Sequence, residues 1–118
     1  MKAKHIKINV PIYGTEVFVT SETDECTRLA KKHCGIEMDP EDYYANGMVV
    51  YAHDTQIVWL PEQAGLRTIA HECTHVAMNM CRYKGLVIDT KNQEPFTYLM
   101  GYLVYEVNKA HTRLNNDD

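Results

Sequence analysis

Along residues 6–12, IKINVPI, apolar and polar side chains alternate, the two-residue period of a strand with one face buried. Tyr13-Gly14 is turn-like, and residues 15–20, TEVFVT, read as the returning strand. Ser21 or Thr23 can then cap a helix whose first turn holds Glu22, Asp24 and Glu25, acids that the positive end of a helix dipole favours. That helix runs to about Cys34, where Gly35 supplies a natural stop. Residues 36–46 form an acidic loop with Pro40 and Asn46-Gly47. Two apolar runs follow, MVVYAH at 48–53 and QIVWLP at 56–61, on either side of Asp54-Thr55, and they predict a hairpin ending at Pro61.

From there the period lengthens. Leu66, Ile69, Ala70, Cys73, Ala77 and Met80 recur at the three- and four-residue spacing of a buried helix face. The helix starts near Gly65 or Leu66, runs to Lys84 and closes at Gly85, with Arg82 and Lys84 in its last turn. A final helix begins between Asn92 and Pro95 and continues to about Arg113, with Phe96, Leu99, Met100, Leu103, Val104 and Val107 as its apolar stripe. The terminal NNDD is expected to fray. The order β-β-α-β-β-α-α predicts an α+β fold. Its sheet is mostly antiparallel with about four strands, and the last two helices lie on one side. One domain, residues 1–118, accommodates the 118-residue chain.

Composition narrows the picture. The 45% of apolar residues can supply a core, but no run approaches the roughly 18 needed to span a membrane. MKAKHIKINV has basic residues without an apolar segment behind them, so no signal peptide is expected. A net charge of −4 argues against nucleic acid as a partner. Cys26, Cys34, Cys73 and Cys81 form no C-x-x-C, and members of each helical pair lie about 12 Å apart, too far for a disulfide. That spacing leaves pairing between the two helices open, but without a secretion signal free thiols and a cytoplasmic location are expected.

The chemistry concentrates in HECTH, residues 71–75. Histidines at i and i+4 share one side of a helix and can bite one metal ion. Here that side lies nearly opposite the apolar stripe, with Thr68, Glu72, Met78 and Asn79 around it. Zinc held by two histidines needs a third protein ligand and keeps a position for water. On the final helix Glu94, Tyr98, Gly101 and Tyr105 form a stripe distinct from the apolar one, and Glu94 is the favoured third ligand. A first-turn acid is also what the helix dipole alone would select. Asp89, His53 and His111 are the other candidates.

HECTH, the step of nineteen residues from His75 to Glu94, and NQEPFTYLMGYL together resemble the gluzincins. These are zinc metallopeptidases with an H-E-x-x-H helix and a glutamate ligand on a later helix. The likeness is greatest to their minimal single-domain members and to small metallopeptidase-like proteins encoded by bacteriophages and prophages. It covers residues 47–107. The resemblance implies a small zincin-like domain, with His71, His75 and Glu94 as Zn2+ ligands and Glu72 as general base. Tyr98 is the nearest match to the family's transition-state tyrosine. Pro95 sets Glu94 at the helix entrance rather than inside it. The activity implied is zinc-dependent hydrolysis of a peptide or protein substrate, with no nucleic-acid or membrane partner. In zincin-like folds an edge strand pairs with the extended substrate. Residues 55–61 are expected at that edge, so that Val58, Trp59 and Leu60 either rim the cleft or pack in the core. Two alternatives remain. One is a zincin-fold metal-binding protein without catalysis that docks on a host or phage protein. The other is a metal-free helix pair.

Overall fold

The computed structural model describes residues 2–116. Four strands, β1 (Ile6–Asn9), β2 (Glu16–Thr20), β3 (Met48–Ala52) and β4 (Thr55–Trp59), form one sheet in the order β1-β2-β4-β3. The two outer pairings are antiparallel, as the hairpin patterns predict. The central one, β2 with β4, is parallel, with Glu16 opposite Thr55 and Thr20 opposite Trp59. The sheet is therefore mixed.

This arrangement corrects one expectation. Residues 55–61 are not the sheet edge, because β4 lies between β2 and β3. Gln56, Ile57, Val58, Trp59 and Leu60 are all buried. An unbroken buried run belongs to a strand covered on both faces. The edge on that side of the sheet is β3.

Between β2 and β3 the chain forms α1 (Thr23–Leu29), a π-helical turn over Ala30–Cys34 and a 3-10 turn over Pro40–Tyr44. Thus the α-helix stops short of Cys34, and only the chain reversal at Gly35, φ 67°, falls as expected. Within the acidic loop Asp39 and Asp42 cap the 3-10 turn reciprocally. Two long helices follow, α2 (Leu66–Lys84) and α3 (Glu94–Leu114).

Alternate residues of each strand feed opposite layers. Val17, Val19, Val58 and Leu60 face α2 and α3 and pack with Ile69, Val76, Leu103 and Val107. Phe18, Ile57 and Trp59 face the other way, against Cys26 and Leu29 of α1 and against Tyr43. Both long helices thus lie on one face of the sheet. On α2, Val76 joins the core stripe, three residues past Cys73 and four before Met80, whereas Leu66 in the first turn is 63% exposed.

Contacts at the end of α3 fix its direction. His111 Nε2 donates to the Pro61 carbonyl at 2.9 Å, just ahead of α2. Asn115 Nδ2 donates to Ser21 Oγ, also at 2.9 Å. The last turn of α3 therefore sits beside the start of α2, and the two helices run antiparallel. Asn115 is anchored rather than frayed, and Asp117 and Asp118 lie outside the described residues.

Candidate active site

His71 and His75 stand exposed on the outer side of α2, one helical turn apart, with ring centroids 5.0 Å apart at 74°. The sequence places them there because Ile69, Cys73, Val76, Ala77 and Met80 claim the opposite side for the core. Glu72 leaves the same turn but is buried, at 6% exposure. Among the described residues its carboxylate has no hydrogen-bond or ion-pair partner.

The main chain of Gly47, just ahead of β3, covers Glu72. A Cβ built on Gly47 would stand 2.9 Å from Thr68 Cγ2, 3.2 Å from Glu72 Cγ and 3.3 Å from Glu72 Oε2. Only a residue without a side chain permits that approach. The sequence signals Gly47 as part of a turn, and nothing local in it tells that the glycine touches the H-E-x-x-H helix.

The rest of this side of α2 is tied to the sheet. Gln56 Nε2 donates to the Val76 carbonyl at 3.0 Å, and Asn79 Nδ2 donates to Gln56 Oε1 at 3.1 Å. Asn79, which the helix pattern groups with the histidines, is thus a tether. At the far end of α2, Lys84 Nζ donates to Asp54 Oδ2 at 2.7 Å, and Thr15 Oγ1 donates to Asp54 Oδ1 at 2.6 Å. The two donors and the ammonium charge outweigh burial and hold Asp54 below the usual carboxylate range. Burial pushes the Cys73 thiol up to about 12, and the negative charge of Glu72 adds to the rise.

The final helix does not close over the histidines. Glu94 is exposed in its first turn, and Tyr98 is 75% exposed. Gly101 has open space where a Cβ would point, so it does not mark a helix contact as the stripe suggests. Asp89 is exposed in the α2–α3 connection, where Oδ1 accepts from the Lys91 amide at 2.9 Å. His53 occupies the β3–β4 turn at φ 53° and meets the Tyr83 ring. His111 is committed to Pro61. Among the described residues no group of three or more His, Cys, Asp or Glu side chains stands close enough to hold a metal.

No family model, curated protein or solved structure matches this chain.

Function must therefore be read from the site. A zinc ion would find two imidazole donors in His71 and His75, a chelating pair of the right spacing. Zinc sites take three or four protein ligands. The pair fits part of such a shell, and the third donor is not gathered to it. Among the described residues no helix is long and apolar enough to cross a membrane.

Proposed function

We propose that this chain is a small zinc-dependent peptidase of zincin type, with His71 and His75 as metal ligands and Glu72 as general base. Glu94 is the proposed third ligand, which requires its carboxylate to leave the exposed position it occupies here. Glu72 carries the reading. Its side chain is largely covered, yet its oxygens are not sealed from solvent, so the carboxylate stays available for proton transfer. Here the acid follows His71 directly in the chain and lies under Gly47, just ahead of an edge strand.

Zinc, when bound, lowers the pKa of water and polarises a carbonyl. The chain's own part is to orient and to move a proton. Glu72 takes a proton at its carboxylate and passes it to the leaving amine. β3 offers its free edge to the main chain of an extended peptide. Tyr98 remains a candidate hydrogen-bond donor to the developing oxyanion. The substrate is a peptide or protein, and the four free cysteines fit a cytoplasmic setting.

Metal analysis and peptide cleavage test the reading. We expect one zinc per chain, lost in the His71→Ala/His75→Ala double variant and weakened in Glu94→Ala. Glu72→Gln should keep zinc and fold while hydrolysis of a peptide library falls by about 10² or more. Equal zinc content in the double variant, or equal turnover in Glu72→Gln, would sink it.

A second reading has its own support. Val87 is 84% exposed, and Leu86, Ile88, Tyr98 and Tyr105 are exposed beside it in the chain or along α3. Such apolar and aromatic surface suits a protein that acts by docking on a partner. A library that is never cleaved, with zinc still bound, would favour it.

A further inference from the structure

We propose that Asn46 is a site of spontaneous modification, converted through a cyclic imide to aspartate and isoaspartate by attack of the Gly47 amide nitrogen. The conversion itself needs no metal and no substrate. Only its effect on hydrolysis rests on the peptidase reading.

Asparagine is a chemically labile residue. The residue after it sets the rate, because that residue supplies the attacking nitrogen. Glycine leaves the nitrogen unshielded and the backbone free to turn towards the side chain. Of the chain's seven asparagines, only Asn46 precedes a glycine. The fold leaves both reacting groups free. Asn46 is exposed in the bend between the 3-10 turn and β3. Among the described residues no hydrogen bond holds its side-chain amide, and the Gly47 amide has no acceptor. Other asparagines are better protected. The Val10 amide, which follows Asn9, donates to the Thr15 carbonyl at 2.9 Å. Asn79 and Asn108 lie inside α2 and α3, where the next amide is spent on the helix.

The glycine is not free to become a bulkier, more protective neighbour. A Cβ there would stand 2.9 Å from Thr68 Cγ2 and 3.2 Å from Glu72 Cγ. The close cover over Glu72 thus fixes the one successor that makes Asn46 reactive.

The step balances with water as the only co-reactant. The Gly47 amide gives up its proton, its nitrogen bonds to Asn46 Cγ, and Nδ2 leaves with a proton as ammonia. A five-membered imide remains, and water opens it. Cleavage of the new Cγ–N bond gives aspartate at position 46. Cleavage of the original peptide bond gives isoaspartate, whose main chain runs through the side-chain carbons and is one methylene longer. Both products add a negative charge.

The longer product bears on the candidate site. An extra methylene ahead of Gly47 displaces a backbone that leaves no room for one added carbon against Thr68 and Glu72. The cover over the proposed base is therefore lost as the chain ages, and hydrolysis declines with it.

Mass spectrometry reads the conversion. The full chain is incubated at mildly alkaline pH in native buffer and, in parallel, in urea, then digested. The peptide containing Asn46 should gain one mass unit and split into two species. In native buffer it should do so before any other asparagine peptide. Conversion that runs in urea and stops in native buffer overturns the proposal, as does a rate at Asn46 no faster than at Asn79 and Asn108. Asn46→Gln would have to close a six-membered ring and should stay unmodified at that position. An equal mass gain there also overturns the proposal.

The consequence is read in the aged chain. Its urea midpoint should fall in step with its isoaspartate content, while aged Asn46→Gln keeps the midpoint of fresh protein. A midpoint that ignores the conversion overturns the link to Gly47. Fresh protein that hydrolyses no peptide would remove the peptidase reading and leave the modification, read by mass alone, standing.

Discussion

At the scale of single residues, the contact of Gly47 with Glu72 and Thr68 sets the tightest constraint near the candidate site. Gly47→Ala forces a methyl group into a space 2.9 Å from Thr68 Cγ2. Overpacking of that kind costs about 1–3 kcal/mol, and urea denaturation should read it. Adding Thr68→Ser removes the Cγ2 atom and should recover part of the loss, while the crowding of Glu72 persists; on the proposed peptidase function, hydrolysis should remain below that of the unmutated chain. Full additivity of the two changes would show that the contact is unimportant. A second residue-scale prediction concerns Glu25 on α1. Arg28 donates to both its oxygens at 2.8 Å, and His5 Nδ1 lies 2.6 Å from Oε2. The Arg28 hydrogen bonds, against the opposing effect of burial and helped by His5, bring Glu25 down from 4.5 to about 2. A carboxyl whose folded pKa is depressed stabilises the fold above its unfolded pKa and loses that contribution as pH falls through the folded one. Arg28 is half exposed, so solvent screens the pair and the contribution is smaller than the bare shift implies. The stability gap between the unmutated chain and Glu25→Gln should be full at pH 6 and should shrink between about pH 4.5 and pH 2. A gap unchanged at pH 2 would refute the assignment.

At the scale of elements, α3 depends on the clasp at its C-terminal end. His111→Phe keeps the ring but leaves the Pro61 carbonyl without its donor, which should cost about 1–3 kcal/mol in chemical denaturation. A midpoint unchanged from the parent would show that the bond contributes nothing. The elements were largely legible in the sequence, because Ile69, Cys73, Ala77 and Met80, and likewise Leu99, Leu103 and Val107, carry a helical period that packing then uses. Less was legible where partners are distant. The buried run in β4 marks a strand covered on both faces, yet only its pairing with β2 makes it interior. The stripe of Glu94, Tyr98, Gly101 and Tyr105 is a shared face, but periodicity says which residues share a face and not what lies opposite. Here that face is open to solvent. The histidine pair was legible for a simpler reason, since i and i+4 are neighbours on any α-helix. The burial of Glu72 was not, because it depends on Gly47, 25 positions earlier in the chain.

At the scale of the whole molecule, the two layers leave the thiols little reactivity. Cys26, Cys73 and Cys81 are buried and Cys34 is half-buried. Burial raises the pKa of all four, which starves them of thiolate. A thiol reagent should count four cysteines in denaturant and react in the native state first with Cys34. Fewer than four in denaturant, or early reaction of Cys73, would contradict the packing. The parallel pairing of β2 with β4 has a further consequence, for how the chain finds its fold. β1 with β2, and β3 with β4, are close along the chain and can meet early. By contrast, Glu16 must find Thr55 across 39 positions before the two hairpins become one sheet. Closing that loop costs chain entropy before any burial repays it. The seam of Phe18, Val19, Ile57 and Val58 is therefore where folding is slowest. Until it zips, each hairpin presents an unpaired strand to any other chain nearby.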